Sequence, residues 1–113
     1  ALITDEQRIV LLANGRESLE NPDFDPAPTV KLFTPEARAT WLLTEIDPDD
    51  HDHAFGLCDL GLGMPEIGWV SLGELVTVRG GLGLSIERDL PSRAEKRLSV
   101  YARDARLAGR IVA

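Results

Sequence analysis

Residues 39–46 read Ala-Thr-Trp-Leu-Leu-Thr-Glu-Ile, and residues 54–60 read Ala-Phe-Gly-Leu-Cys-Asp-Leu. The first stretch is rich in residues that favour strands, and we predict that it forms the central strand of a sheet. The second stretch alternates Phe55, Leu57 and Asp59 with smaller residues, as a half-buried strand does. Only residues 47–53 separate the two stretches, so we predict a polar loop there and antiparallel pairing of the two strands.

The remaining extended segments are predicted to complete a sheet around this pair. Further strands are predicted at residues 29–33, 66–70 and 84–88. Turns or breaks are predicted at residues 34–36, 61–65, 79–83 and 91–93, where proline and glycine concentrate.

Two capping boxes and one amphipathic segment predict the helices. Thr4-Asp5-Glu6-Gln7 predicts a helix that begins at Asp5 and ends near Gly15, because Asn14-Gly15 is typical of a left-handed helix terminus. Residues 16–28 contain three prolines and are predicted to form a loop. The predicted apolar stripe of this helix consists of Ile9, Leu12 and Ala13, widened by Val10 and Leu11.

The second capping box, Ser71-Leu72-Gly73-Glu74, predicts a short helix over residues 72–78. A terminal helix is predicted from Ser99 or earlier to Ala108. Its predicted buried stripe consists of Leu98, Tyr101, Ala105 and Ala108.

The chain of 113 residues is therefore predicted to be one α+β domain over residues 1–113, with a four- to five-stranded, mainly antiparallel sheet packed by N- and C-terminal helices. A single cysteine excludes an intramolecular disulfide and favours a reducing compartment. The N-terminus does not resemble a secretory signal, and no apolar run approaches the 20 or so residues that a membrane helix needs. We expect a cytoplasmic protein that does not bind membranes.

Charge is distributed unevenly along the chain. The net charge is −7, which argues against direct binding to nucleic acid or anionic lipid. Residues 1–66 contain 14 acidic and 4 basic residues, whereas residues 67–113 contain 5 acidic and 8 basic residues. We expect the C-terminal bases on a solvated helix face. Alternatively, they pair with the acidic loop over residues 47–53, either within the fold or across a dimer. These bases are Arg93, Lys96, Arg97, Arg103, Arg106 and Arg110.

The segment from Glu45 to His53 contains seven potential metal ligands in nine residues. A calcium loop that begins at Asp47 would need glycine at its sixth position, which is Asp52. We therefore favour a solvated acidic surface without a cofactor, and a divalent metal bound by Asp47, His51 and His53 stays the alternative. The predicted interaction surface consists of Glu45, Asp47, Asp49, Asp50 and Asp52.

Three carboxylates are candidates for catalysis. Asp59 and Glu66 flank a glycine-rich turn, and with Glu45 they could support acid/base or metal-assisted hydrolysis. The simpler interpretation is that Asp59 accepts hydrogen bonds from turn amides and that Glu66 lies on the outer face of a strand. Cys58 is expected to be an unreactive thiol, because burial and the neighbouring acid raise the pKa of a thiol.

Three stretches resemble a known family: residues 40–48, 55–63 and 65–75, supported by residues 2–7 and 28–35. In these stretches the chain is similar to short bacterial proteins that are known only as a domain of unknown function. The resemblance implies a small accessory protein of plasmids, phages and integrative elements, encoded near conjugation or anti-restriction genes. The residues most typical of the family pattern are Glu45, Asp47, Asp59 and Glu66, whereas His51 and His53 fall in its variable loop.

Three functions stay open at this point. The first is a non-enzymatic accessory protein that counters a host defence by presenting an acidic surface to a basic nucleic-acid-binding protein. The second is a metal-assisted hydrolase that uses Glu45, Asp59 and Glu66, with Asp47 in support. The third is a structural subunit that forms a homodimer through an edge strand or a helix. We favour a non-enzymatic function over the hydrolase.

Overall fold

The computed structural model describes residues 2–36, 38–79, 83–89 and 94–113. The elements in chain order are α1 (Asp5–Glu20), β1 (Val30–Phe33), β2 (Thr40–Asp47), β3 (Asp50–Asp59), β4 (Glu66–Ser71), α2 (Leu72–Leu75), β5 (Glu87–Arg88) and α3 (Leu98–Ala108). The predicted α+β class with N- and C-terminal helices is confirmed.

The five strands form one antiparallel sheet in the order β4-β3-β2-β1-β5. β2 is the central strand, as predicted, and β3 pairs with it through registers such as Leu42 opposite Leu57. β4 therefore lies at one edge of the sheet, and β5 lies at the other.

The helices lie on opposite faces of this sheet. Side chains alternate along a strand, so Trp41 and Leu43 of β2 join the core beneath α1 and α2, whereas Leu42 joins the core beneath α3. A register shift in β2 between Leu43 and Glu45 keeps Ile46 on the α1 side beyond it.

The predicted end of α1 near Gly15 is wrong, because the helix continues to Glu20. Gly15 does not adopt a left-handed conformation. Instead, a Cβ at Gly15 would lie 2.0 Å from the backbone oxygen of Ile46. The glycine allows α1 to approach β2 closely, so its role is packing and not termination. The capping box at the start of α1 is confirmed, since the Thr4 hydroxyl accepts from the Gln7 amide and the Gln7 side chain accepts from the Thr4 amide.

The predicted apolar stripe of α1 is only partly buried. Leu11 is fully buried, but Ile9 and Val10 are exposed. The helix approaches the sheet through small and polar side chains as well, and Asn14 donates a hydrogen bond to the backbone oxygen of Thr44. Because part of this contact is polar, the spacing of apolar residues alone does not identify the buried face of α1.

The predicted loop over residues 47–53 is also wrong. β2 and β3 continue into this segment, and Asp47 pairs with Asp50 across a turn of two residues. The Asp47 carboxylate accepts from the Asp49 amide, which is how an aspartate closes a tight turn. The acidic segment is thus the ordered tip of a hairpin.

Three smaller differences concern the C-terminal half. α2 spans Leu72–Leu75, shorter than the predicted residues 72–78, although Ser71 caps it as expected. β5 is limited to Glu87–Arg88. In α3 the predicted Ala108 is exposed and Ala102 is buried in its place. Residues 80–82 of the turn predicted at residues 79–83, the predicted break at residues 91–93 and Arg93 lie outside the described residues.

Within the described ranges, no helix is long and apolar enough to cross a bilayer. The ion pairs of α3 are local, since Lys96 and Arg103 both contact Asp104. In the same ranges, no ion pair joins α3 to the acidic segment.

Candidate functional site

The three candidate catalytic carboxylates are not brought together. Glu45 and Asp59 lie towards opposite ends of the β2–β3 pair, because Asp59 pairs with Thr40, five residues before Glu45 in β2. Five residues of strand span about 17 Å. Glu66 lies opposite Cys58, next to Asp59 in sequence, and neighbouring strand residues point to opposite faces of a sheet. The arrangement does not favour joint action by these three groups.

The Asp59 carboxylate joins two segments of the backbone by hydrogen bonds. The side chain is buried and accepts hydrogen bonds from the backbone amide of Gly61, at 2.8 Å, and from that of Ile111, at 2.9 Å. The first contact closes the turn after β3. The second ties the C-terminal segment to the sheet on the α3 side.

Glu45 is 8% exposed and lies beside α1. Burial raises the pKa of its carboxyl group, Ser18 lowers it through a hydrogen bond, and the negative charge of Asp47 raises it further. Glu45 therefore does not share the exposed surface of the other acids in the segment.

Replacing Glu45 with glutamine should change the pH dependence of stability. Because the pKa of Glu45 is raised above its ordinary value of 4.5, the folded protein binds this proton more tightly than the unfolded chain. The wild-type free energy of unfolding therefore loses a contribution as the pH rises from near 4.5 through the folded-state pKa. We expect Glu45→Gln to equal or exceed the wild type at pH 7 and to lose that advantage near pH 4. Urea unfolding at both pH values measures this difference.

A matched variant is Asp49→Asn, since Asp49 is exposed and its neutralisation changes the net charge equally. The expectation for Glu45 would be contradicted if Glu45→Gln raised the free energy of unfolding by the same amount at both pH values.

Cys58 borders an open cleft of about 460 Å³ on the α2 side of β3 and β4, and Cys58 and Glu66 both border a smaller one of about 190 Å³. The walls of the larger cleft include Trp41, Val70 and Leu75. Burial raises the pKa of Cys58 to about 11, helped by the charge of Asp59, so the thiol stays protonated near neutral pH. A protonated thiol is a weak nucleophile, so the raised pKa is in line with the unreactive thiol expected from the sequence.

The predicted metal ligands lie on the exposed hairpin. His53 Nδ1 is 2.9 Å from Asp50 Oδ2, and His51 Nε2 lies 3.2 Å from the backbone oxygen of Pro48. Across residues 2–36, 38–79, 83–89 and 94–113, no group of three or more His, Cys, Asp or Glu side chains is arranged to hold a metal ion.

The tip of the β2–β3 hairpin carries Asp47, Asp49, Asp50 and Asp52, which we call the acidic hairpin. Asp52 fixes this tip to the neighbouring elements. Its Oδ2 accepts from the Ser71 hydroxyl at 2.5 Å, and its Oδ1 accepts from the Gly73 amide at 2.8 Å. These hydrogen bonds lower the pKa of Asp52, so its carboxylate stays charged near neutral pH. The acidic hairpin is thereby held beside the C-terminal end of β4.

Next to the acidic hairpin, β4 exposes a large apolar surface. Trp69 lies opposite Phe55 and Ile67 lies opposite Leu57, so all four side chains point to the α3 side of the sheet. α3 covers Leu57 but leaves Trp69 52% and Ile67 38% exposed. The rings of Trp69 and Phe55 are in contact, with centroids 5.1 Å apart. We call Phe55, Ile67 and Trp69 the edge patch.

The turn before β4 also exposes large hydrophobic side chains. Leu60, Leu62 and Met64 are all more than half exposed. With Ile67 and Trp69, they place five large exposed hydrophobic side chains within ten consecutive residues. Clustered exposed hydrophobic residues of this kind mark interaction sites, whereas single ones are ordinary.

The edge patch was not predicted from the sequence. The sequence pattern predicts a strand at residues 66–70, which the structure confirms, but it does not show which strand lies at the edge of the sheet. A usable signal was present: β4 is the last strand of a meander of neighbouring strands, and such a strand lies at an edge unless a later one joins it.

Comparisons with known proteins identify the family. The curated proteins and the solved structures gave no match. A family model described as "Protein of unknown function (DUF2958)" matches residues 2–112. The match covers nearly the whole chain, including α1, the complete sheet and α3. The chain therefore belongs to the DUF2958 family, as the resemblance in its strands indicates.

Proposed function

We propose that this chain is a small non-enzymatic accessory protein that binds another protein through the edge patch and the acidic hairpin. One observation carries the proposal: a half-exposed tryptophan lies on an edge strand, and the end of that strand at Ser71 is hydrogen-bonded to Asp52 of the acidic hairpin. Tryptophan is enriched among the residues that contribute most to protein–protein binding. The neighbouring acids would determine which partners are attracted and which are repelled.

The charge of the acidic hairpin points to a basic partner. In the described part of the chain, none of its four aspartates forms an ion pair with lysine or arginine, and the only ion pair that involves any of the four is the one between Asp50 and His53. The negative charge is therefore available to an incoming protein. Nucleic-acid-binding proteins present such basic surfaces. By covering one, a small acidic protein of a mobile element would counter a host defence.

The other two hypotheses have less support. Glu45, Asp59 and Glu66 lie apart, so a hydrolase that uses them together has no geometric basis in this fold. A homodimer through β4 would use the edge patch, but it would also bring two acidic surfaces towards each other.

Capture experiments test the proposed function. The full chain is immobilised and exposed to a lysate of cells that encode it, at ionic strengths of about 0.05 and about 0.5 M, over which the screening length falls severalfold. We expect capture of a lysine- and arginine-rich protein at the lower salt concentration. Trp69→Ala and the double variant Asp49→Lys, Asp50→Lys should each reduce capture at least about tenfold.

Leu107→Ala is the matched control, because Leu107 is 83% exposed and lies on α3, away from β4. Its capture should equal that of the wild type. The proposed function would be wrong if the captured proteins were unaffected by salt and by the changes at Trp69, Asp49 and Asp50.

A further inference from the structure

We propose that β4 binds its partner by strand addition, pairing with an extended segment that has an apolar centre and lysine or arginine at its ends. The inference rests on the proposed function, and it specifies the partner segment and the way in which it binds. Three features of the β4 surroundings carry it: the open edge, the apolar surfaces on both faces, and the acids at both ends.

The open edge supplies backbone hydrogen-bonding groups. In the described part of the chain, β4 pairs with β3 on one side only. Its six residues, Glu66–Ser71, are long enough to pair with a short extended peptide. Unpaired amides and carbonyls along such an edge are a template for another strand.

The two faces beside this edge would receive alternate side chains of the incoming strand. On the α3 side, these side chains would lie next to Ile67 and Trp69. On the α2 side, they would lie over Gly68, which lines an open cleft of about 190 Å³ together with Cys58 and Val70. A Cβ at Gly68 would have no atom within 4 Å, so there is room for an incoming side chain to lean over the strand. Both faces therefore favour apolar residues at the centre of the segment.

The two ends of β4 are acidic. Glu66 is exposed at the first end, and Asp52 is hydrogen-bonded to Ser71 at the second. Glu74, exposed on α2, adds a further negative charge beyond the second end. An incoming strand would thus meet carboxylates before and after its apolar centre. Charge complementarity at both ends favours lysine and arginine and disfavours a second copy of this chain, whose own β4 is flanked by acids.

A designed peptide tests the inference directly. The probe is Lys-Arg-Val-Ile-Val-Ile-Val-Arg-Lys with a fluorescent label, which carries apolar residues on both faces of its centre, titrated with the full chain and followed by fluorescence anisotropy. We expect saturable binding that weakens at least about tenfold for Trp69→Ala and for Ile67→Lys, and that is unchanged for Leu107→Lys. Amide shifts in a nitrogen–proton spectrum should concentrate at residues 66–71.

Two altered peptides separate strand addition from other modes of binding. N-methylation of the three central amides removes the backbone donors on both edges of the peptide, and it should weaken binding at least about tenfold. Replacement of the four basic residues with glutamate should have a similar effect. Strand addition would be overturned if the methylated peptide bound as tightly as the parent, or if the parent did not bind at all.

These outcomes are separate from those of the capture experiment. A captured partner that depends on Trp69 would uphold the proposed function even where the peptide fails. Light scattering on the chain alone tests whether a second copy occupies β4 instead. The inference would be overturned if the chain were a dimer that Ile67→Lys dissociates and if neither form bound the peptide.

Discussion

Replacing Gly15 with alanine should destabilise the protein by about 3 kcal/mol, even though alanine is the better helix former by about 1 kcal/mol. The new Cβ would lie 2.0 Å from the Ile46 backbone oxygen and 3.2 Å from the Pro48 ring. Neither neighbour is the end of a flexible side chain. α1 would have to move away from β2, and contacts along the α1–β2 interface would be lost. Urea unfolding followed by circular dichroism measures the change.

The matched control is Gly68→Ala, the same chemical change at a position where a Cβ meets no atom within 4 Å. We expect its free energy of unfolding to lie within about 0.5 kcal/mol of the wild type. If Gly15→Ala were as stable as the wild type, the close approach of α1 to β2 would be contradicted.

Replacing Asp59 with alanine should cost about 2–4 kcal/mol. The change removes both acceptors for the Gly61 and Ile111 amides, and the Ile111 amide is left buried without a partner. The C-terminal segment should loosen first, because this contact ties it to the sheet. Chemical denaturation gives the total loss, and hydrogen exchange at Ile111 reports the local effect.

Asp47→Ala provides the comparison for Asp59, since Asp47 also accepts a backbone amide hydrogen bond but does so at an exposed turn. Water can replace its acceptor, so the expected cost is about 1 kcal/mol or less. Equal losses for the two variants would argue against a structural role for Asp59.

Local patterns predicted most of the fold because they depend on neighbours in sequence. The Thr4 capping box, the alternation around Leu57 and the strand at residues 66–70 all have local causes. At Gly15 the local pattern gives the wrong role. Its sequence context is typical of a helix terminus, but its role depends on the backbone of Ile46, which is distant in sequence.

The candidate site was less predictable for the same reason. Charge predicted the acidic residues of the hairpin, but it also suggested a loop, because aspartates are rare in strands. Hydrogen bonds from Ser71 and Gly73 to Asp52 are long-range contacts that hold this segment in the sheet. The exposure of Trp69 depends on the strand order and on the reach of α3, neither of which a local pattern encodes.

Site-specific photo-crosslinking tests the central claim, that the edge of β4 binds a basic protein. A photoreactive phenylalanine derivative is placed at position 69, and separately at position 107, in cells that encode the chain. We expect a discrete adduct with a lysine- and arginine-rich protein from position 69 and none from position 107. The absence of an adduct at position 69, or the same adducts from both positions, would contradict it.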